Sequence, residues 1–356
     1  MPLRDRRAPP TPGAPPHAEA AFQRIWRHRG WEAWALWPVA AVYGALSALR
    51  GALYRSGVLR TERLPVPVVV VGNVVAGGAG KTPVTQAVVR ALRERGWHPG
   101  VVSRGYGRAT TDCREVLPDA DASAVGDEPL LLARSTGAPV FVAARRAEAA
   151  RALLRQHPRT DVVVCDDGLQ HLALARDVEL CVFSEEGAGN GWLLPAGPLR
   201  EPWPRRVDAV LHAGHAPRGA ESAALGVFPI RRSLADHAVA RDGSTVPLAQ
   251  LQGRPLHAVA AIARPAAFFA MLRGRGLTVA EETALPDHAD YAGWQPGRGE
   301  GVQVVCTEKD AAKLWKHCPG ALAVPLVVEI APAFFERLHL RLRELVARSL
   351  SSAPDS

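Results

Sequence analysis

Residues 68–85 read VVVVGNVVAGGAGKTPVT, and this stretch decides the fold. Four consecutive valines predict a buried parallel strand. β-branched residues fit the pleat, and a strand covered on both faces need not alternate. Gly72, Gly77, Gly78 and Gly80 follow, then Lys81 and Thr82, then apolar residues at helical spacing (Val84, Ala87, Val88, Ala91, Leu92). Strand, glycine loop, Lys-Thr and helix is the plan of a phosphate-binding P-loop. Glycines let backbone N–H groups wrap phosphate oxygens without Cβ clashes, and the helix N-terminus adds partial positive charge. In this plan Gly77, Gly78, Ala79, Gly80, Lys81, Thr82 and Pro83 line a nucleotide. Lys81 reaches the β- and γ-phosphates, and the Thr82 hydroxyl holds Mg²⁺. One position departs from the G-x-x-x-x-G-K-[ST] pattern, since residue 75 is Val. A ligand-free glycine turn is the competing reading, and the flanking strand and helix argue against it. The chain has four lysines (81, 309, 313 and 316) among its 43 basic residues. A lysine at 81 therefore fits a need for a compact ammonium.

The 356 residues leave room for two domains, and 47% hydrophobic with 22% charged residues is ordinary for a soluble globular protein. The net charge is +8, and residues 1–60 hold nine arginines against Asp5, Glu19 and Glu32. The excess sits at one end of the chain. This argues for an anionic surface met by that end and against a nucleic-acid-sized basic face. Five cysteines show no paired spacing, and Cys165, Cys181 and Cys306 lie in apolar runs, so buried free thiols in a reducing compartment are expected.

Residues 1–18 are rich in Pro, Ala and Arg, a disordered composition. Trp26, Trp31, Trp34 and Trp37 follow among arginines, and residues 33–49 carry no charge. Three readings stand: a helix lying in a membrane interface, a helix buried in the protein, and a true span or signal peptide. Beyond the P-loop helix, GVVSRGYGR (100–108) predicts a strand and a loop on which Arg104 and Arg108 either grip an anion or stay solvated. Asp127 and Glu128 open a helix, either as ordinary first-turn acids or as carboxylates aimed at the phosphate site. Residues 139–142 predict another strand, with Arg145 and Arg146 at its end.

DVVVCDDGLQH (161–171) is the second strong signal. An apolar strand ending in paired aspartates, Asp166 and Asp167, has the form of a Walker B element whose carboxylate orients Mg²⁺. Residues 177–183 and 207–211 read as further strands, and the Gly- and Pro-rich stretch 187–204 as an ordered loop over the site. From about residue 232 the pattern restarts. Strands are expected at 256–262, 277–281, 302–307 and 322–330, with helices at 265–273, after 308, and from 332 to about 350. His288 lies between acids in a polar loop; it is either a surface histidine or the partner of a catalytic carboxylate. The expected architecture is α/β. A P-loop NTPase-like, mostly parallel sheet domain (61–231) follows the basic arm and membrane-interacting helix (1–60), and a smaller α/β domain (232–356) closes the chain.

Taken together, VGNVVAGGAGKTP, SRGYGR, VGDEP, VVVCDDGLQH, LLPAGPLREP, PDH and TEKDAAKL resemble the tetraacyldisaccharide 4'-kinases, the lipid A 4'-kinases, in content and order. Two positions depart: AIARP at 261–265 where the family has a GI-x-x-P form, and Ala289 where a second histidine is common. The resemblance implies ATP and Mg²⁺ as cofactors and a lipid-anchored glucosamine disaccharide 1-phosphate as substrate. It also implies work at anionic lipid on the cytoplasmic face of the bacterial inner membrane. It implies Lys81 for catalysis and ATP, Asp127 as general base with His288 as its partner, and Thr82, Asp166, Asp167 and Glu128 around the metal. Asn73, Arg104, Gln170, His171, Arg200 and Glu201 are implied on the substrate side. The alternative is a P-loop GTPase or ATPase that drives a protein partner. In it Lys309-Asp310 would stand for part of a guanine-reading N-K-x-D, although Thr307-Glu308 supplies no Asn.

Overall fold

The computed structural model describes residues 22, 24–78, 80–296 and 301–351. The arm at 1–18 and Ala79 of the P-loop lie outside them. In chain order the described elements are the helix Trp31–Arg55, β1 (Val68–Gly72), the helix Lys81–Glu94, β2 (Pro99–Ser103), β3 (Arg114–Glu115), and the helices Ala122–Val125 and Asp127–Thr136. Then come β4 (Val140–Val142), the helix Arg146–Gln156, β5 (Val162–Asp166), β6 (Val178–Phe183), β7 (Ala209–His212) and β8 (Gly226–Leu234). The smaller unit holds β9 (His237–Val239), β10 (Thr245–Pro247), β11 (Leu256–Ala260), the helix Pro265–Gly274, β12 (Val279–Ala284), β13 (Gln303–Thr307), the helix Glu308–His317 and β14 (Leu322–Val324). The last elements are β15 (Leu326–Ile330) and the helix Pro332–Ser351.

Among the described residues the larger sheet has the order β15-β8-β7-β6-β1-β5-β2-β4-β3. Its interior pairs are parallel, and an antiparallel strand closes each edge. The valine run of β1 is explained by what lies on either side. Val69 and Val71 join a core with Val84, Val88 and Leu92 of the following helix, whereas Val68 and Val70 join the opposite core with Ala149 and Leu153. Parallel crossovers cover both faces, so every position of the strand is buried. Cys165, Cys181 and Cys306 are buried and all five cysteines are free.

The smaller sheet has the order β10-β9-β14-β13-β11-β12. The chain enters it after Leu234 and leaves it at Pro325. The single strand expected over 322–330 is therefore two, one in each sheet. Pro325 has no N–H to give to either ladder, and it separates them. The closing elements correct the expected domain boundary as well. β15 pairs with β8, and Phe334, Leu338 and Leu342, spaced four apart, bury themselves in the larger core. Residues 326–351 therefore return to the first unit, and the second ends near 325.

The Trp31–Arg55 helix is not a buried core helix. Ala33 and Ala40 are its buried residues. Trp34 packs edge-on against Trp192 with ring centroids 4.7 Å apart, and the Tyr43 hydroxyl donates to the Arg200 carbonyl at 2.7 Å. The helix thus rests on the 187–204 loop. Trp31, Trp37, Val39, Val42, Leu46 and Leu49 stay exposed. Length and composition suffice for this helix to cross a membrane.

Packing gives the closing helix a measurable role. Phe334→Ala is expected to cost ~3–5 kcal/mol in chemical denaturation, as for a fully buried aromatic. A loss under ~1 kcal/mol would detach that helix from the larger core.

Candidate active site

The parallel register pairs Val71 with Asp166, so the end of β1 and the end of β5 open at the same level. From there the P-loop turns into the Lys81–Glu94 helix. Gly80 caps this helix at φ 77°, and no side-chain cap bonds its first-turn N–H groups among the described residues. They are available to phosphate oxygens. Gly80 is needed for space as well as for φ. A Cβ there would collide with the Arg232 guanidinium of β8, behind the loop. Thr82 is buried, and Pro83 lies in the first helical turn, where its missing N–H costs nothing.

Val75 in place of the expected glycine has a structural reason. The first half of the loop does not swing around a ligand; it pairs with the LLPAGPLREP segment. Ala76 N–H donates to Pro198 O and Arg200 N–H to Val74 O, both at 2.7 Å. An extended, paired residue tolerates and even favours a β-branched side chain.

The acids divide into two environments. Asp166 is buried and accepts a hydrogen bond from Thr85 Oγ1 at 2.8 Å. Burial, then the charges of Glu128 and Asp167, push its carboxyl up to about 7. Asp167 stands at φ 48° beside Lys81 Nζ (3.7 Å) and Arg200 Nη1 (3.1 Å). Burial would raise it, but Lys81, Arg200 and Arg146 outweigh burial and hold it below the ordinary carboxylate value. Arg146 Nη2 also donates to the Asp167 carbonyl at 2.8 Å. Among the described residues, no group of three or more His, Cys, Asp and Glu side chains forms a self-sufficient metal cage. Thr82, Asp166, Asp167 and Glu128 nonetheless fit Mg²⁺, which takes one or two carboxylates and completes its shell with phosphate and water. The observation that marks the fit is a buried carboxylate, Asp166, held by Thr85 beside Asp167 at the strand end.

Four residues expected on the substrate side form a bracket instead of a free surface. Asn73 donates to Val75 O at 2.6 Å, and Gln170 donates to Asn73 O (2.9 Å) and to Glu201 Oε1 (2.7 Å). Arg200 reaches Asn73 Oδ1 at 3.2 Å as well as Asp167. This bracket holds the P-loop, the acid pair and the 187–204 loop in one arrangement. His171 is half-buried next to it, its Nε2 buried without a hydrogen-bond partner among the described residues. Burial, then Arg146 and Arg176, lower it to about 4, so it is neutral near pH 7. Arg104 lies exposed on the loop after β2.

Across the cleft the two units meet at Asp127. Gly126, at φ 93°, turns the chain into the Asp127–Thr136 helix, and a Cβ there would press on the backbone of Gly105 and Tyr106 in the SRGYGR loop. His288 Nδ1 lies 2.8 Å from Asp127 Oδ2, and Lys313 Nζ donates to the same oxygen at 2.7 Å. Burial would raise Asp127, but these two donors prevail and hold it below its usual value. Lys309 Nζ lies 3.4 Å from His288 Nε2 and 3.0 Å from Asp287. The Nδ1 edge of the ring thus faces the Asp127 carboxylate and the Nε2 edge faces Lys309. His288 stands at φ 66°, so its surroundings hold a backbone conformation that costs energy on its own.

The sequence reading paired Asp127 with His288 only through the family resemblance and did not pair Lys81 with Asp167, which the structure sets side by side. It missed Thr85 behind Asp166, Arg232 behind Gly80 and Lys313 on Asp127. The scarcity of lysine was a usable signal for Lys313, because all four lysines lie at this cleft or on the helix that borders it. The guanine-reading alternative loses its residue. Asp310 is buried, accepting from Ala261 N–H at 3.1 Å and from Thr307 Oγ1 at 2.5 Å.

A P-loop, a paired acid at the neighbouring strand end and a carboxylate held across an interdomain cleft define a P-loop kinase. The chain matches the family described as Tetraacyldisaccharide-1-P 4'-kinase over residues 32–343, and it belongs to that family. It is 64% identical over 334 residues to the tetraacyldisaccharide 4'-kinase of Acidovorax sp. (strain JS42), covering 94% of this chain and 98% of the relative. It is 54% identical to that of Delftia acidovorans, covering 93% and 97%. Among solved structures it superposes on LpxK from Aquifex aeolicus, described in complex with ATP. The TM-score is 0.76 and the identity 27%, covering 87% of this chain and 99% of that one.

Asp166 gives a pH test. Between 3.8 and about 7 the folded chain keeps a proton that the unfolded chain releases, so this group lowers stability as pH rises through that window. Asp166→Asn keeps the Thr85 hydrogen bond and removes the buried charge. Without nucleotide its Tm at pH 8 is expected to exceed that of the wild type, with the gap narrowing toward pH 4. A Tm below wild type at pH 8 would contradict this electrostatic picture.

Proposed function

We propose that this cleft transfers the γ-phosphoryl group of ATP to the 4'-hydroxyl of a tetraacyl glucosamine disaccharide 1-phosphate, giving the 4'-phosphorylated lipid A precursor and ADP. The observation that carries the reading is the Asp127–His288 contact at 2.8 Å, made between the two units beside the P-loop. Phosphoryl transfer needs positioning and charge neutralisation more than covalent help.

The residues divide the work as follows. Gly77, Gly78, Gly80 and the first turn of the Lys81–Glu94 helix cradle the phosphates, and Lys81 follows the charge that develops on them. Mg²⁺, when bound, neutralises charge between the β- and γ-phosphates. Asp166, with Thr82 and Glu128, would hold it. Asp167, already balanced by Lys81 and Arg200, holds those cations in place. Asp127 accepts the proton of the 4'-hydroxyl as its oxygen bonds to the γ-phosphorus and the bond to the β-phosphate oxygen breaks. The His288 N–H steadies the carboxylate through this exchange, and the pair shares the proton as a unit. Neutral His171, exposed Arg104 and the Asn73–Gln170–Arg200–Glu201 bracket border the space on the acceptor side.

The Trp31–Arg55 helix explains how a lipid reaches such a cleft. Its exposed apolar face suits the acyl-chain boundary, tryptophans suit headgroup depth, and the surplus arginines of the arm suit anionic lipid. We read its location as the cytoplasmic face of the inner membrane, where ATP is available.

Purified protein incubated with γ-labelled ATP, Mg²⁺ and detergent-dispersed tetraacyl disaccharide 1-phosphate should label the lipid. Lys81→Ala should abolish the label. Asp127→Ala should bind ATP nearly normally yet lower turnover by at least ~10². Phosphate release that ignores the lipid would overturn the transfer reaction, and wild-type turnover in Asp127→Ala would overturn the base.

A further inference from the structure

Three of the four lysines, 309, 313 and 316, stand at i, i+4 and i+7 on the Glu308–His317 helix. That spacing puts them on one face. Each holds a carboxylate: Lys309 that of Asp287 at 3.0 Å, Lys313 that of Asp127 at 2.7 Å, Lys316 that of Asp121 at 2.9 Å. The last two contacts cross from the smaller unit to the larger. Lys316 is a surface pair, with its side chain 54% exposed and that of Asp121 52%. Contacts of that kind contribute little.

Lys313 is different. Its side chain is 16% exposed, and its partner Asp127 is 7% exposed. The same ammonium also donates to the His288 carbonyl oxygen at 3.0 Å. One charged group thus ties together the carboxylate of the larger unit and the left-handed backbone that presents the imidazole of the smaller. Both Lys313 and His288 Nδ1 take Oδ2 of Asp127, so the carboxylate cannot rotate without breaking two bonds. A compact ammonium can serve two acceptors that a planar guanidinium fork would overshoot, and this accounts for Lys in a chain that otherwise relies on Arg.

We propose that Lys313 is a positioning residue for phosphoryl transfer: it fixes the Asp127 carboxylate and the His288 backbone in a single arrangement across the cleft. The proposal rests on reading Asp127 as the base. Lys313 itself needs no contact with either substrate.

The test uses the full chain, ATP, Mg²⁺ and detergent-dispersed tetraacyl disaccharide 1-phosphate. Lys313→Met is expected to lower kcat by ~10², the scale of a small misplacement of a reacting group, while KM for ATP stays within about twofold. Lys313→Gln keeps a neutral donor and should fall between the two, and it serves as the main variant if the methionine protein does not fold. Lys316→Met should match the wild type. In an Asp127→Asn background, Lys313→Met or Lys313→Gln should cost nothing further, because Lys313 acts through Asp127. Wild-type kcat in Lys313→Met overturns the proposal. So does the same additional loss in the Asp127→Asn background, which marks a general structural role. Failure of the underlying reading is seen separately, as wild-type turnover in Asp127→Asn alone.

Discussion

The parallel pairing of β1 with β5 is the constraint on which the rest depends. Its register brings the end of the valine strand level with Asp166, so the P-loop and the acidic strand end cannot be moved independently. Two carboxylates at one strand end, with Glu128 near, are costly to hold together. The surrounding residues are arranged around that cost. Lys81, Arg200 and Arg146 hold Asp167 below the ordinary carboxylate value, whereas burial and the neighbouring acids outweigh the Thr85 hydrogen bond and push Asp166 up. An apolar replacement would make a more stable protein and a poorer site for a cation, the usual exchange of stability for function.

The second constraint is the pair of chain crossings between the sheets, after Leu234 and at Pro325. Because the chain returns to the larger sheet, the smaller unit is an insertion tethered at two neighbouring points. It is held from the other side by contacts across the cleft. Of these, the two on Asp127 reach a buried carboxylate, one from His288 and one from Lys313. The Asp127 carboxylate therefore keeps both donors only when both units are in place.

Much of this was legible in the sequence because it depends on short-range grammar. Four valines before glycines, Lys-Thr before a helical period and paired acids after an apolar run each require a local conformation, and the structure has all three. The Asp127–His288 pair spans 161 positions and came from family resemblance; spacing alone left His288 a possible surface residue. Three things were not legible, for a common reason. The return of residues 326–351 to the first sheet, the Arg232 contact behind Gly80 and the role of Lys313 all depend on which surfaces meet in three dimensions. A run such as 322–330 is apolar throughout, and nothing in its period tells that Pro325 divides it between two sheets.

The 187–204 loop links the acid pair to the apolar helix. Its Arg200 side chain contacts Asp167 and Asn73, while its backbone carbonyl takes the Tyr43 hydroxyl and its Trp192 packs on Trp34. The apolar helix and the phosphate site are therefore separated by a single residue's thickness of protein. This distance suits an acceptor whose reactive hydroxyl sits only a headgroup away from its acyl chains. An enzyme for a soluble sugar has no reason to rest an exposed tryptophan-lined helix on the loop that steadies its acid pair. The bracket around Asp167 thus touches two parts of the fold: the Arg200 side chain is held on the acid pair, and the same residue's carbonyl meets the apolar helix.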